Sequence, residues 1–173
     1  RHPTRLSSRV SHLFPLISRI PPVSRTSSPV SSTFPRMPDL DRLISRFQGA
    51  DRDTRLELLL DYSRRLPELP AELLPLKERG VGQVHECQTP VFLYVEASGG
   101  KVRIHADVPR ESPTVRGFLS LLIKQLDGAA VADVAAVPDD LLDQLRLSEL
   151  LGMTRMQGLT AILGRVKRMA AGR

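Results

Sequence analysis

Cysteine is almost absent from this sequence, since Cys87 is the only one among 173 residues. One thiol cannot form an internal disulfide, and it supplies too few ligands for a four-thiolate zinc site or for an iron–sulfur cluster held by one chain. The sequence therefore lacks the pattern of a disulfide-stapled secreted domain, and a reducing compartment is expected.

Long apolar runs and aromatic residues are also scarce. No run approaches the ~18 residues needed to span a bilayer. Tryptophan is missing and aromatic residues make up 4% of the chain, with no spacing that suggests base stacking. The remaining composition, 41% hydrophobic and 25% charged, is typical of a globular protein with one ordinary core. A membrane partner is not expected.

Acidic residues are missing from the first 36 positions, which contain six arginines. Removing these six from the 25 basic residues leaves 25 − 6 = 19, which equals the 19 acidic residues of the rest of the chain. The formal net charge of +6 thus belongs to the leader. A nucleic-acid-binding domain would carry its own basic face, so no nucleic-acid partner is expected.

The leader, residues 1–36, is rich in Ser, Pro and Arg and is predicted to be disordered because it has too few apolar residues to offset the entropy of ordering. Two interpretations compete. The leader either lies upstream of a natural start at Met37, or it is an organelle transit peptide. The first interpretation is favoured and predicts a cytoplasmic protein, whereas the second predicts a plastid or another organelle.

Residues 37–173 are predicted to form a single domain in which helices come first, a β-hairpin next and helices again. The helical patterns begin near Asp39, Asp53, Pro113, Asp139 and Thr154. Two strands, residues 91–96 and 101–108, flank a turn at Ser98-Gly99-Gly100. The segment PELPAELLPLKERGVG before the hairpin is predicted to be irregular. This order predicts an α+β fold with a small antiparallel sheet packed against helices from both ends of the chain.

Cys87 lies in a polar, turn-like stretch ahead of the first strand, and this position makes it the leading candidate for chemistry. A free cysteine is more often an inert, buried packing residue, which we call filler. A polar turn, however, offers few apolar neighbours for such a residue. His85, two residues earlier, is a candidate to support the thiolate form, whereas Glu86 would oppose it. Both interpretations, filler and reactive thiol, remain open at this point.

Other chemistry has weaker support in the sequence. His85 and Cys87 could meet His105 and Asp107 if the two segments were neighbours, which would give four zinc-type ligands. The simpler interpretation places His105 and Asp107 on the solvent face of an alternating strand. No phosphate-binding loop and no G-x-S-x-G motif is present.

Several segments together resemble the SufE family, in the same order along the chain. They are LPELP (residues 66–70), VHECQTPVFL (84–93), the hairpin to Asp107, PTVRGFLSLL (113–122) and GMTRMQGLTAILGRVK (152–167). The resemblance covers residues 37–167 and none of the leader. It implies an α+β fold shared with iron–sulfur scaffold proteins.

The resemblance also implies a function. Members of this family accept sulfur as a persulfide on the loop cysteine, here Cys87, from a SufS-like cysteine desulfurase that uses pyridoxal phosphate. They stimulate that enzyme and pass the sulfur to a SufB-like iron–sulfur scaffold complex. The resemblance therefore predicts an accessory sulfur carrier with no cofactor of its own, rather than a stand-alone enzyme. The alternatives are a metal-binding scaffold-like protein and an inert adaptor with a structural cysteine.

The loop departs from the family pattern around the cysteine. Glu86 stands where the family has glycine, which removes a flexible joint, and Pro90 stiffens the exit. Glu86, Gln88 and Arg155, the last within a family Arg-x-Gln-Gly pattern, are candidate partner contacts. Gly117 and Gly158 are interpreted as permitting close helix packing rather than chemistry.

Overall fold

The structure, a computed structural model, describes residues 37–172, so the predictions made for the leader lie outside the described residues. The helices are α1 (Pro38–Gly49), α2 (Arg52–Arg64), α3 (Leu74–Glu78), α4 (Pro113–Leu126), α5 (Val131–Ala136), α6 (Leu141–Gln144) and α7 (Met153–Ala170). The strands are β1 (Gln83–Val84), β2 (Val91–Ser98) and β3 (Lys101–Asp107). Short 3₁₀ turns at Ala71–Leu73 and Leu147–Glu149 complete the described elements.

The three strands form an antiparallel sheet in the order β1-β2-β3. Strands β2 and β3 are joined by Gly99 and Gly100, whose φ angles are 59° and 77°. Two successive residues with positive φ make the tight hairpin turn that matches the twist of the strands, and glycine adopts that conformation without steric cost. The predicted hairpin is confirmed, with β2 two residues longer than expected.

One hydrophobic core joins elements from both ends of the described chain. On β3 the residues alternate between exposed or half-buried and buried positions, and Val102, Ile104 and Ala106 point inward. Helix α7 packs against β2, and α4 packs against both β3 and α2. The buried stripe of α7 consists of Leu159, Ile162, Leu163 and Val166, at the spacing of one helix face, in the segment predicted to be helical from near Thr154. The predicted α+β fold is confirmed.

Helices α2 and α4 approach each other closely at Gly117. A Cβ added to Gly117 would overlap the backbone carbonyl of Leu59. The interpretation of Gly117 as a close-packing residue is therefore confirmed. For Gly158 that interpretation is wrong, because the atoms nearest to an added Cβ belong to Cys87 and not to another helix.

Several local expectations need correction. Helix α1, whose pattern was predicted to begin near Asp39, is preceded by Met37, and Asp39 lies in the first turn and pairs with Arg42 on the surface. Helix α2 begins after Asp51, whose side chain accepts a hydrogen bond from the Thr54 amide.

Part of the segment predicted to be irregular is helical. Residues 71–78 form a 3₁₀ turn and then α3. Pro75 does not interrupt α3 because it falls in the first turn, where proline is tolerated. Helix α5 and the two-residue strand β1 had no separate sequence signal. No helix within residues 37–172 is both long and apolar enough to cross a membrane.

Candidate functional site

Cys87 lies in a short loop, residues 85–90, which connects β1 to β2 and is called the Cys87 loop below. The thiol-bearing residue is half-buried, whereas Glu86, Gln88 and Pro90 are exposed. The Cys87 amide reaches back to the Val84 carbonyl oxygen at 3.5 Å, a long and therefore weak hydrogen bond. The tip of the loop faces solvent while its cysteine turns toward the protein.

Helix α7 is the surface against which Cys87 rests. A Cβ built on Gly158 would lie 3.2 Å from the Cys87 Sγ and 3.6 Å from its Cα. Gly158 is itself buried. The sulfur atom therefore lies over a bare stretch of helix backbone, in contact with the protein on one side and close to the exposed loop tip on the other.

The chain leading into the Cys87 loop is fixed by hydrogen bonds on three successive residues. The Tyr94 hydroxyl donates to the Val81 carbonyl oxygen at 2.9 Å, and the Leu93 amide donates to the Gly82 carbonyl oxygen at 2.9 Å. The Arg165 guanidinium donates to the Gln83 carbonyl oxygen at 2.8 Å. The backbone before the loop is thus tied both to β2 and to α7.

Tyr94 is well suited to its place beside this backbone. Burial raises the pKa of Tyr94 above its ordinary value of 10.0, and Asp107 acts in the same direction while Lys77 opposes it. The hydroxyl therefore keeps its proton, and remains a donor to Val81, into strongly alkaline solution. Gly82, with φ of 86°, lies against the ring, and an added Cβ there would come within 2.9 Å of the Tyr94 ring.

The exit from the loop contacts the start of α4. The Thr89 Oγ1 and the Ser112 Oγ lie 3.5 Å apart, at the outer limit of a hydrogen bond. Ser112 immediately precedes α4, and its side chain makes no capping hydrogen bond to the helix. Val91, the first residue of β2, is fully buried. The loop therefore leads at its exit into a buried strand residue, beside the start of α4.

The other predicted site residues are exposed and lie at different distances from the cysteine along the loop and α7. His85 is exposed, and within residues 37–172 no hydrogen bond joins it to Cys87. Glu86 and Gln88 lie on the exposed tip, on either side of Cys87. Arg155 is exposed on α7, three residues before Gly158 and therefore about one helical turn away. Their roles remain predictions.

His105 and Asp107 are half-buried on β3, and Asp107 is paired with a lysine of α3. Asp107 forms an ion pair of 2.6 Å with Lys77, whose ammonium group also lies 5.8 Å from the centre of the Phe92 ring. Within the described part of the chain, no three His, Cys, Asp or Glu side chains are grouped so that they could hold a metal ion.

Two residues that position the loop were missed in the sequence. Arg165 is not among the candidate residues named from the sequence, and Gly158 is interpreted there only as a packing residue. Both lie in the segment 152–167 that resembles the family, seven residues apart and so on the same side of the helix. Because both residues contact the loop region across about 70 or more residues of chain, no local sequence pattern signals these contacts.

Comparison with known proteins agrees with this architecture. The family model "SufE: Fe-S metabolism associated domain" matches residues 41–170. An uncharacterized SufE-like protein of Mycobacterium tuberculosis is 41% identical over 130 residues, which cover 75% of this chain and 89% of the relative. The chain belongs to the SufE family, whose domain is associated with iron–sulfur metabolism.

Two further similarities are informative. The solution structure of a hypothetical protein from Thermus thermophilus is 34% identical, with a TM-score of 0.66, and the match covers 78% of this chain and 95% of that one. A chloroplastic quinolinate synthase of Nicotiana tabacum is 32% identical over 114 residues, 65% of this chain but only 15% of the relative. The SufE domain therefore also resembles a small part of a longer chain.

Proposed function

We propose that the protein is a sulfur carrier of iron–sulfur metabolism, in which Cys87 accepts sulfur as a persulfide from a cysteine desulfurase and passes it on. The observation that carries the proposal is the placement of the chain's only thiol on a loop that is anchored at both ends and exposed at its tip. A structural cysteine inside a core would have no need of an exposed polar tip around it.

The proposed acceptance step is a thiol exchange. The Cys87 thiolate attacks the outer sulfur of the desulfurase persulfide, a sulfur–sulfur bond forms at Cys87, and the sulfur–sulfur bond of the desulfurase breaks. The desulfurase cysteine leaves as a thiolate and takes up the proton that Cys87 lost. No net oxidation or reduction occurs, so this step requires no cofactor bound to the carrier.

Delivery is the same exchange in the opposite direction. A thiolate of an iron–sulfur scaffold complex attacks the outer sulfur on Cys87, and Cys87 leaves as a thiolate. The carrier thereby removes the product of the desulfurase and stimulates its turnover. The carrier is an accessory to that pyridoxal-phosphate enzyme and is not itself an enzyme.

The residues around Cys87 have distinct proposed roles. Glu86 and Gln88 flank the cysteine on the exposed tip, so a partner that reaches the thiol has to contact them first. Arg155 offers an exposed positive charge about one turn of α7 away from Gly158, suitable for an acidic group of the desulfurase. His85 supports the thiolate if it approaches in the complex.

Replacing Cys87 with serine separates docking from transfer. The change removes almost no contact area, so Cys87→Ser should bind the desulfurase within about 1 kcal/mol of the wild type, the scale of an ordinary surface substitution. A serine hydroxyl stays protonated at neutral pH and cannot accept sulfur. Calorimetric titration should therefore show binding, and a sulfide-release assay should show no stimulation above the desulfurase alone.

The same variant distinguishes the alternatives. An inert adaptor predicts that Cys87→Ser stimulates the desulfurase as fully as the wild type, which would show that activation is conformational. A metal-binding scaffold predicts about one tightly held iron or zinc per chain, measured by elemental analysis, that Cys87→Ser loses. Either result would contradict the carrier proposal.

A further inference from the structure

The side of α7 that faces the Cys87 loop carries no side chain at Gly158. An added Cβ would lie 3.2 Å from the Cys87 Sγ and 3.7 Å from the Cys87 Cβ. Favourable contacts between non-bonded heavy atoms lie at roughly 3.5–4.0 Å, and sulfur is larger than carbon. A Cβ at position 158 would therefore require the thiol to shift by a few tenths of an ångström away from the helix.

Other glycines show that this contact is specific. An added Cβ at Gly164, in the same helix, would meet only the end of the flexible Arg168 side chain, at 3.2 Å. An added Cβ at Gly117 would meet the backbone of another helix. For Gly158, all of the three nearest atoms belong to Cys87.

A glycine inside a helix is unfavourable relative to alanine, because glycine loses more backbone freedom when the chain folds. Gly158 is the sixth residue of α7, well inside the helix, where this cost applies in full. The contact with the thiol gives a physical reason for glycine at this position that helix packing does not give.

We propose that Gly158 is a positioning residue for Cys87: its missing side chain leaves a seat on α7 that holds the thiol against the helix in the free protein. The loop anchors at Gln83 and Thr89 bring the cysteine to this position, and the seat lets the sulfur settle there. The seat favours the docked loop over loop conformations that expose the thiol. The consequence for sulfur transfer, that a partner has to draw Cys87 from this seat, rests on the proposed function.

Alkylation of the free protein with iodoacetamide tests the seat, because Cys87 is the only cysteine and every thiol adduct reports on it. Gly158→Ala should raise the alkylation rate by about 2- to 10-fold, the factor expected when a side chain is forced off its preferred geometry. Gly164→Ala introduces the same residue into the same helix without touching the loop, and its rate should equal that of the wild type. Equal rates for Gly158→Ala and the wild type would overturn the proposal.

A second experiment compares melting temperatures in the wild type and in Cys87→Ala. It tests whether any destabilisation by Gly158→Ala comes from the thiol contact. With Cys87→Ala the sulfur is gone, so adding Gly158→Ala should raise the melting temperature about as much as adding Gly164→Ala does. In the wild-type background Gly158→Ala should give a smaller rise or a fall. A fall of equal size in both backgrounds would show that the methyl group clashes with something other than the thiol, and would also overturn the proposal.

These readouts are independent of the partner. If a cysteine desulfurase loads no sulfur onto Cys87 while Gly158→Ala still accelerates alkylation, the proposed function fails and the seat stands. If sulfur is loaded normally but the alkylation rates of all variants are equal, the proposed function stands and the seat fails.

Discussion

Arg165 of α7 donates a 2.8 Å hydrogen bond to the backbone carbonyl oxygen of Gln83, which precedes Cys87 by four residues in the sequence. The bond links the last helix to the strand that leads into the Cys87 loop. Since Gly158 contacts Cys87 from two helical turns earlier, one side of α7 holds both the start of the loop and its thiol.

Replacing Arg165 with methionine should loosen the start of the loop. The change keeps much of the aliphatic side chain but leaves the Gln83 carbonyl without its charged donor, so we expect a loss of about 1–2 kcal/mol in the free energy of unfolding. Urea unfolding measures this loss, and Arg168→Met, an exposed change in the same helix, is the matched control. Similar stability of the two variants would show that the Arg165 bond does not anchor the loop.

The sequence predicted the elements that are defined by local pattern. The stripe of α7, with Leu159 and Ile162, and the hairpin around Gly99 and Gly100 each carry a repeating or turn-specific signal, and both are confirmed. Helix α5 lacks such a signal because its six residues make less than two turns. The two residues of β1 are a strand only because β2 lies beside them.

The candidate site likewise has a part that the local sequence predicts and a part that it does not. Its loop was recognisable from Cys87 and the polar residues around it, which are adjacent in sequence. The contributions of Gly158 and Arg165 depend on α7 crossing the loop about 70 or more residues further along the chain. A separation of this size leaves no local pattern, so only the fold reveals these contacts.

Alanine is expected to destabilise the protein at Gly117, whereas it is expected to stabilise the protein at Gly164 on the surface of α7. Gly117→Ala should lower the free energy of unfolding by about 1–3 kcal/mol, because the new methyl group would force α2 and α4 apart at Leu59. Gly164→Ala is the control, since it places the same methyl group where only the Arg168 side chain has to move. Denaturant unfolding compares the two variants, and a Gly117→Ala protein as stable as the wild type would contradict the close approach of the helices.

The buried Arg55 gives the fold a dependence on pH. Only 5% of its side chain is exposed, and it donates a 2.5 Å hydrogen bond to Glu149. This hydrogen bond, together with the charges of Arg55 and Arg146, holds the pKa of Glu149 below its ordinary value of 4.5, although some burial opposes the shift. Because the folded state lowers the pKa, the pair stabilises the fold above the ordinary pKa and loses this contribution as the pH falls through the lowered one.

Glu149→Gln should therefore be less stable than the wild type at pH 7, and the difference should shrink as the pH is lowered below 4.5. Thermal unfolding across this pH range measures both parts. Glu57→Gln, on the exposed side of α2, controls for the loss of one negative charge and should show no such convergence. A constant difference between Glu149→Gln and the wild type at every pH would rule out the ionised pair as its source.

The central claim, that Cys87 carries sulfur, is tested most directly by intact-protein mass spectrometry. The protein is incubated with a cysteine desulfurase, pyridoxal phosphate and free cysteine, and then separated from the enzyme. We predict a gain equal to one or more sulfur atoms, located on Cys87, removed by a reducing thiol and absent from Cys87→Ser. An unchanged mass while the desulfurase turns over would contradict the account.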